Sequence, residues 1–471
     1  MFPYQKTDAL MLSTGQSEEL EFNSLHDSVT ALDDNRRHRT GSEIPATGEE
    51  APQPDRLTLW QPVRLVGCLL FATVLAAILQ LKFYDIYYFK DRPVVSCFGL
   101  LITGYLLSRF AVASFYRPPP TVVGFTPTVS VVIAAKDEEQ AIDWTLECIF
   151  RCDYPHDRLE VIAVDDGSTD KTFAEMQRAR ARFPRLHIIH FPENRGKRNA
   201  MAAGVRQATG EILVFVDSDT FLRPDAIRKL VRGFADQRVA AVCGHAFVQN
   251  ARENHLTRLQ ELYYYISFRV LKASESVFGT VTCCSGCLSA YRRSAVLEIL
   301  DSWQRQRFLG VPAIGDDRSL TRHILRRHRI LYDREAICTT IAPATVRQFF
   351  RQQLRWKKSW IVETLYLSRF FWRRHFVASI FYYAGVAMTL LAPVWLFGGL
   401  VLPAFGVVKF SFWYFYGAFL IGSLYGLLYL IRFRNRLWIY GIVFQFVVMV
   451  ALSWQIYYAM LTLRRNHWGT R

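Results

Sequence analysis

The sequence predicts an α/β fold in which a mostly parallel sheet, with helices on both faces, is inserted between membrane-spanning helices. Between residues 117 and 344, short apolar runs rich in branched side chains alternate with helix-like patterns, which is typical of such a sheet. Longer apolar stretches precede and follow this region, and each is long enough to cross a membrane. Acidic pairs directly follow two of the short runs, at the edge where open α/β sheets bind ligands.

The predicted elements of the sheet region follow from hydrophobic patterning. The predicted strands are 129–134, 159–164, 187–191, 212–216 and 239–243. The predicted helices lie between them, at about 139–152, 170–183, 197–208 and 224–235.

Composition indicates a membrane protein with basic cytoplasmic edges. Of the 471 residues, 51% are hydrophobic, yet the formal net charge is +16. Apolar membrane segments account for the hydrophobic fraction, and basic residues at their cytoplasmic ends account for the charge. Nucleic-acid binding is the other interpretation of the charge. We expect no nucleic-acid partner, because many of the basic residues flank long apolar segments and do not form one face.

The composition changes along the chain and predicts five parts. They are a disordered polar tail at 1–55, two transmembrane helices at 56–116, a cytosolic α/β domain at 117–344, amphipathic interface helices at 345–375 and a C-terminal region of three to four spans at 376–471. Arg109, near the far end of the second span, is expected to snorkel to the membrane surface.

The C-terminal region leaves the topology open. Three apolar stretches, 377–402, 410–431 and 437–463, would leave the C-terminus outside if each crossed the membrane once. A hairpin or re-entrant turn within one stretch would return it to the cytosol. The first stretch is the candidate for that turn, because Pro393 and Pro403 interrupt it.

Two carboxylates, Asp217 and Asp219, follow the strand predicted at 212–216. Strand residues two apart point to the same side, so both acids can reach one place at the end of the strand. Paired hard oxygen ligands there suit Mg²⁺ or Mn²⁺ carrying a substrate diphosphate. The alternative is a polar turn without a ligand.

A second acidic pair, Asp165 and Asp166, follows the strand predicted at 159–164 and is suited to gripping a nucleoside. The alternative is helix capping by the polar residues that follow it. Further along the chain, Lys197 and Arg198 at a predicted helix start could meet a phosphate, although such pairs are usually solvated.

A third acidic pair, Asp316 and Asp317, lies at a probable helix start. One of these carboxylates could act as a general base towards a sugar hydroxyl; the alternative is a favourable interaction with the helix dipole. On the interfacial segment, Gln352, Arg355 and Trp356 offer an amide, a guanidinium that can neutralise a diphosphate and an indole that can stack on a sugar. Interfacial anchoring is the alternative for this last group.

In this order, and between membrane spans, these motifs resemble the processive family 2 glycosyltransferases, which include hyaluronan, cellulose and chitin synthases. The sequence is most similar to hyaluronan synthases and their fungal-type polysaccharide synthase relatives. The motifs of that subgroup stand at 196–198, 285–292, 315–321 and 468–471, and the resemblance covers roughly residues 60–471. As a set the motifs are specific, although each is weak alone.

The resemblance implies a GT-A fold, UDP-sugar donors and Mg²⁺ or Mn²⁺ held by Asp217 and Asp219. It implies that Asp317 is the base, and that Arg355 holds the leaving diphosphate. The implied donor-binding residues are Ala135, Lys136, Glu138, Asp165, Asp166, Lys197, Arg198, Asp217, Ser218, Trp468 and Arg471. The implied acceptor-binding residues are Ser285, Gly286, Cys287 and Trp356, and the implied catalytic residues are Asp316, Asp317, Gln352, Arg355 and Trp356. Cys287 stands where vertebrate-type hyaluronan synthases are expected to have proline.

The predicted function is a multi-pass plasma-membrane enzyme with a cytosolic catalytic domain that polymerises sugar from UDP-sugars and exports the polymer. Its predicted partners are the donor, the growing polysaccharide and the lipid bilayer. The alternatives are a transferase that adds one sugar to a membrane lipid, as a ceramide glucosyltransferase does, and a non-catalytic scaffold or exporter. The sequence leaves the sugar and the oligomeric state open.

Overall fold

A computed structural model describes residues 60–88, 93–312, 314–406, 412–433 and 436–465 of the protein. The tail predicted at 1–55, and the predicted donor-binding residues Trp468 and Arg471, lie outside the described residues.

An eight-stranded sheet forms the centre of the α/β domain. Its strands are β1 (Val129–Ala135), β2 (Leu159–Asp166), β3 (Leu186–Phe191), β4 (Ile212–Phe215), β5 (Thr220–Leu222), β6 (Val239–Val248), β7 (Ser289–Arg292) and β10 (Arg329–Thr340). A separate hairpin holds β8 (Arg307–Phe308) and β9 (Val311–Pro312).

The strand order is β3-β2-β1-β4-β7-β6-β10-β5. The pairings β1–β2, β2–β3, β1–β4 and β6–β10 are parallel, whereas β4–β7, β6–β7 and β5–β10 are antiparallel. Strands β1 and β4 are buried along their whole length, as expected for continuous apolar runs inside a parallel sheet. The predicted α/β class is confirmed, with antiparallel strands added to a parallel half.

Helices connect these strands and continue beyond the sheet. The helices of the α/β domain are α3 (Ile142–Phe150), α4 (Thr172–Arg182), α5 (Lys197–Gln207), α6 (Ala226–Val231), α7 (His255–Ile266), α8 (Ala273–Val277), α9 (Arg293–Gln304) and α10 (Asp316–Leu325). The remaining helices are α1 (Trp60–Tyr88), α2 (Pro93–Ser114), α11 (Val346–Leu367), α12 (Phe376–Leu400), α13 (Phe412–Phe433), α14 (Tyr440–Phe446) and α15 (Gln455–Leu461).

Five segments in the described part of the chain are long and apolar enough to cross a membrane, by length and composition. They are Leu65–Tyr84, Cys97–Ser114, Phe376–Phe405, Phe415–Phe433 and Leu437–Leu461. The helix α11 precedes the last three of them and carries the basic and aromatic residues predicted to lie at the interface.

Helix α7 joins the α/β domain to the membrane segments. Its apolar residues Leu259 and Leu262 pack in one cluster with Leu420 and Leu424 of α13. The ring of Tyr265 meets that of Tyr429 edge to face, with centroids 5.0 Å apart. The sheet is therefore held directly against the membrane bundle, because its neighbouring helix shares a core with α13.

The prediction that Arg109 snorkels is wrong. Its side chain turns into the protein, where Nη1 donates to the Ser274 hydroxyl at 3.1 Å and Nη2 lies 3.9 Å from Glu275. The rings of Tyr105 and Phe381 lie 5.2 and 5.1 Å from its guanidinium carbon. The guanidinium charge is therefore stabilised inside the protein, by a nearby carboxylate and two aromatic faces, and not at the membrane surface.

The suggested hairpin in the first C-terminal stretch is also not observed. Helix α12 runs without a break through Pro393, and only a short 3₁₀ turn, Leu402–Phe405, follows it. The irregular backbone lies in the last stretch instead, where the π-helical turn Val447–Leu452 separates α14 from α15.

Both ends of that last stretch pack against the α/β domain side of the molecule. At its start, the Phe444 ring stacks on Tyr263 of α7 with centroids 5.0 Å apart. At its end, Gln455 Nε2 donates to the carbonyl of Phe350 in α11 at 3.3 Å, and Lys358 of α11 donates to the carbonyl of Arg465 at 2.8 Å. Because α15 packs on α11, the chain lies beside the interface helix at residue 465.

Candidate active site

A cavity of about 550 Å³ lies at the carboxyl ends of β1 and β4 and is closed from the other side by α7 and α11. It brings together fourteen of the residues predicted from the sequence. They are Lys136, Glu138, Lys197, Asp217, Ser218, Asp219, Ser285, Gly286, Cys287, Asp316, Asp317, Gln352, Arg355 and Trp356. Six separate stretches of sequence therefore meet in one space, which is the size of an ordinary ligand site.

Asp217 and Asp219 lie in the turn that follows β4. The ammonium group of Lys197, at the start of α5, donates to Asp217 Oδ1. Burial would lower the pKa of Lys197, but the charge of Asp217 outweighs it and the pKa is raised. Gly286 lies tightly against this carboxylate, because a β-carbon there would be 2.9 Å from both carboxylate oxygens.

The acidic turn fits a divalent ion that arrives with a diphosphate. Within the described ranges, no cluster of three or more His, Cys, Asp or Glu side chains could hold a metal by itself. Magnesium-type sites usually take one or two carboxylates and complete their shell with water and substrate phosphate oxygens. Asp217 and Asp219 provide such a partial donor set, with Lys197 beside it to meet further phosphate charge.

Asp316 and Asp317 open helix α10 but have different surroundings. Asp316 Oδ1 accepts from Arg198 Nε at 2.8 Å, and Arg198 in turn lies over the Trp303 ring. Asp317 accepts from the backbone N–H of Arg318 at 2.8 Å and contacts Cys283 Sγ at 3.6 Å. The Asp316 carboxylate is therefore held in an ion pair, whereas the Asp317 carboxylate accepts from a backbone N–H and a thiol and has the Arg318 guanidinium in its vicinity.

The predicted phosphate contact by Arg198 is not favoured by this placement. Its side chain is buried behind the cavity lining, where Nη1 also donates to the carbonyl of Trp303 at 3.2 Å. Ala135 likewise lies inside strand β1, buried beneath the lining residue Lys136.

Asp165 and Asp166 lie at the end of β2, beside the cavity but outside its lining. Asp165 Oδ2 lies 2.7 Å from His190 Nδ1. Asp166 Oδ1 accepts from the N–H of Arg195 at 2.7 Å, while its Oδ2 is buried without a partner among the described residues. Burial raises the pKa of Asp166. A buried acceptor without a donor is a place for a ligand N–H group.

The N-cap residue of helix α4 is Lys171, whose side chain does not cap the helix, and the polar residue that contacts the helix start is Asp170. Asp170 Oδ1 accepts from the N–H of Thr172, the first residue of α4, at 2.9 Å. Lys136 Nζ reaches the carbonyl of Gly167 at 3.4 Å, which ties the turn to the end of β1. The carboxylate that contacts the start of α4, Asp170, is therefore not the one with the open acceptor, Asp166.

One face of α11 forms the far wall of the cavity. The lining residues Gln348, Gln352, Arg355, Trp356 and Ser359 share this face, because their spacing follows the helical repeat. The opposite face carries Leu354 and Ile361, which pack in a cluster with Ile456 and Ala459 of α15. Helix α11 is thus in contact with the cavity and with the last membrane segment at once.

Several lining residues were not predicted from the sequence. Tyr263 and Tyr264 of α7 place their ring centroids 6.2 and 6.4 Å from that of Trp356 and complete an aromatic wall. Buried Lys272 and half-buried Arg318 add positive charge to the lining. The three consecutive tyrosines 263–265 were a visible signal, but in sequence they do not differ from the apolar face of a core helix.

Comparison with known proteins agrees with this geometry. The model of the family described as "Glycosyl transferase family 2" matches residues 130–300. An N-acetylglucosaminyltransferase from Mesorhizobium japonicum is 37% identical over 243 residues, which cover 51% of this chain and 57% of that protein. A hyaluronan synthase from Streptococcus pyogenes serotype M1 is 31% identical over 284 residues, which cover 59% of this chain and 67% of that protein. The matches thus span between about half and two thirds of these relatives.

The fold is similar to that of a solved mannosyltransferase from Pyrobaculum calidifontis in complex with GDP-Man and Mn²⁺. The TM-score is 0.56 at 22% sequence identity, and the alignment covers 79% of this chain and 99% of that one. This likeness confirms the predicted GT-A-type fold, and the sequence matches confirm the resemblance from which it was predicted. The chain belongs to glycosyltransferase family 2.

Proposed function

We propose that the protein is a membrane-embedded, inverting, processive glycosyltransferase that polymerises sugar from UDP-sugar donors and exports the product through its own membrane segments. The observation that carries this proposal is the single cavity in which Asp217, Asp219, Asp317, Arg355 and Trp356 meet. Its walls belong to the sheet on one side and to α11, which packs on a membrane segment, on the other.

The donor would bind along the edge formed by β1, β2 and β4. The unpartnered Oδ2 of Asp166 would accept from the N–H of the uracil ring, and the diphosphate would extend towards Asp217 and Lys197. Asp217 and Asp219 would hold Mg²⁺ or Mn²⁺, which, when bound, neutralises the charge that develops on the diphosphate. Arg355 would add a second positive charge from the opposite wall.

The transfer would occur in one displacement with inversion at the anomeric carbon. The acceptor hydroxyl oxygen forms a bond to that carbon as the bond to the UDP oxygen breaks, and UDP leaves. Asp317 accepts the hydroxyl proton, because it faces the cavity without an ion-pair partner of its own among the described residues. Trp356 would stack on the acceptor sugar, and Ser285 to Cys287 would line its end.

The chain would be a multi-pass protein of the plasma membrane with its catalytic domain in the cytosol. The five parts predicted from the sequence serve as its domain boundaries in this proposal. The C-terminus would also be cytosolic, because α15 ends against the same interface helix that closes the catalytic cavity. The product would pass between the membrane segments beside Tyr263, whose ring contacts both Trp356 and Phe444.

A direct test uses the purified full-length protein in lipid nanodiscs with Mn²⁺ and labelled UDP-sugars, supplied singly and in pairs. We expect UDP release together with a polymer that resists lipid extraction and is cut by one linkage-specific hydrolase. A single labelled glycolipid would instead support the lipid-modifying alternative. Absence of UDP release with every donor would overturn the proposal. Asp219→Asn protein, prepared in the same way, controls for co-purified enzymes.

A further inference from the structure

A π-helical turn, Ser267–Lys272, joins α7 to α8 in one continuous helix at the edge of the cavity. Turns of this type are rare and are often found at functional sites, because they change the direction of a side chain within a helix. Here the turn directs Lys272 beneath the segment 283–287, which carries the predicted acceptor-binding residues.

Lys272 is a buried cation with a complete set of acceptors. Its Nζ donates to the carbonyl of Cys283 at 2.8 Å, to the hydroxyl of Ser285 at 2.5 Å and to Cys243 Sγ at 3.2 Å. The same nitrogen lies 4.3 Å from the centroid of the Phe268 ring. Two of the three hydrogen bonds end on the segment 283–287, so the ammonium group fixes both the backbone and a side chain of this segment.

The charge of Lys272 is stabilised inside the protein by its neighbours. Burial alone would lower the pKa of Lys272, but the neighbouring Cys243 and Cys283 raise it. Burial alone would raise the pKa of the Cys243 thiol, but a hydrogen bond with Cys284 and the charge of Lys272 lower it. Burial of an ammonium group without acceptors would be costly, whereas burial with three acceptors is tolerated.

The segment 283–287 contacts both acidic sites of the cavity. Cys283 Sγ lies 3.6 Å from Asp317 Oδ2, and the N–H of Cys284 donates to Thr321 of the same helix at 2.9 Å. At the other end, Gly286 packs against the carboxylate of Asp217. A displacement of this segment would change the position of the acceptor relative to the base and to the donor.

We propose that Lys272 is a positioning residue for sugar transfer, which holds the segment 283–287 so that the acceptor site, Asp217 and Asp317 keep their mutual geometry. This inference rests on the proposed function. It predicts that removal of the ammonium group lowers kcat and leaves donor binding intact, since Lys272 makes no contact with the nucleotide edge at Asp165 and Asp166.

The test compares Lys272→Met with Lys272→Arg in nanodiscs, with UDP-GlcNAc and Mn²⁺ as the probe. Methionine keeps the length of the side chain and removes its charge, whereas arginine keeps the charge and the donors. A displacement of about 1 Å in a catalytic group can cost about 100-fold in rate. We therefore expect kcat to fall about 100-fold in Lys272→Met, with the donor KM and the UDP affinity within threefold of wild type, and we expect Lys272→Arg to restore most of kcat.

A matched control is Lys229→Met, which removes a lysine of the same domain that pairs with Glu335 away from the cavity. Wild-type kcat in Lys272→Met would overturn the inference. Equal loss of UDP binding and kcat in both Lys272 variants would also overturn it, because that pattern indicates a purely structural role. If Lys272→Met does not fold, Lys272→Gln decides: a lower kcat at unchanged UDP affinity supports positioning, and an unchanged kcat contradicts it.

Failure of this inference is distinguishable from failure of the proposed function. If wild-type protein releases no UDP with any donor, the function is wrong and the Lys272 comparison has no basis. If wild type is active and Lys272→Met matches it, the function stands and only the positioning role is wrong.

Discussion

Asp317 and Asp316 are neighbours in sequence, but the structure gives them different chemistry. Asp316 neutralises Arg198, which is packed on the Trp303 ring behind the cavity. Asp317 has a backbone N–H and a thiol as its hydrogen-bond partners. A carboxylate in an ion pair with a guanidinium is a weaker base, because the ion pair stabilises its charged form. These different partners are the reason for proposing the second acid of the pair, Asp317, as the base.

Replacement of Asp317 by asparagine should abolish sugar transfer and preserve donor binding. The amide has nearly the same shape but cannot take the hydroxyl proton, and loss of general base catalysis costs about 100- to 10,000-fold in rate. UDP release measures the rate, and titration with UDP measures binding. Asp301→Asn, which alters an exposed carboxylate of α9, is the control. Full activity of Asp317→Asn would rule out this base.

At the scale of elements, the start of α10 is fitted tightly against α11. Gly315 precedes Asp316 with φ +88°, and a β-carbon there would lie 1.7 Å from the Ser359 hydroxyl oxygen. The close approach of the two helices brings Asp317 and Trp356 into the same cavity. A glycine is required here both for the backbone conformation and for the space.

Gly315→Ala should therefore destabilise the protein by about 2–5 kcal/mol, the sum of left-handed backbone strain and overpacking. The thermal unfolding midpoint in nanodiscs measures the loss. Adding Ser359→Gly removes the steric conflict but not the backbone strain, so the double variant should recover part of the lost stability. No recovery would contradict the assigned contact.

Helix α7 provides a pH-dependent element. Glu261 accepts from the N–H of Val248 at 2.8 Å through Oε2, while Oε1 has no partner in the described part of the chain. Burial raises the pKa of Glu261 from 4.5 to about 7. In the unfolded chain this acid loses its proton near pH 4.5, and in the native protein near pH 7. The contribution of protonated Glu261 to the free energy of unfolding is therefore fully present below pH 4.5 and is lost as the pH rises through 7.

Glu261→Gln should remove this pH dependence, which amounts to about 3 kcal/mol at 1.36 kcal/mol per pH unit. The glutamine oxygen can still accept from Val248, so stability at low pH should change little. Unfolding midpoints of both proteins between pH 4.5 and 8 provide the measurement. Parallel curves for wild type and variant would show that Glu261 does not titrate in this range.

The elements that the sequence predicted well are those whose signal is local. Strands β1, β2 and β4 are continuous apolar runs, and their ends carry acidic residues that a sheet edge must bring together. Strand β7 was not predicted, because its four residues, Ser-Ala-Tyr-Arg, become a strand only by insertion between β4 and β6. The position of Lys272 depends on a π-helical turn that no residue pattern specifies.

At the scale of the whole molecule, the number of apolar segments does not by itself give the number of membrane crossings. The segment Leu437–Leu461 has the length and hydropathy of a span, yet both of its ends pack on elements that line the catalytic cavity. A count of hydrophobic stretches does not predict the path of this last segment, because the path depends on long-range contacts. These contacts join Phe444 to Tyr263 and Arg465 to Lys358.

A tag fused to the C-terminus should therefore lie on the same side of the membrane as the catalytic domain. A tag inserted between residues 406 and 412, after α12, should lie on the opposite side. Protease accessibility in sealed vesicles of both orientations distinguishes the two positions. Equal accessibility of the two tags from one side would contradict the path of the last segment.

The segment 283–287 contacts both acidic sites, since Cys283 contacts Asp317 and Gly286 packs on Asp217. Under the proposed function, a substitution that enlarges the pocket for the donor sugar would also shift the acceptor that receives it. We therefore expect that a new sugar preference in this scaffold requires paired substitutions, one in the segment 283–287 and one in the helix that carries Asp317.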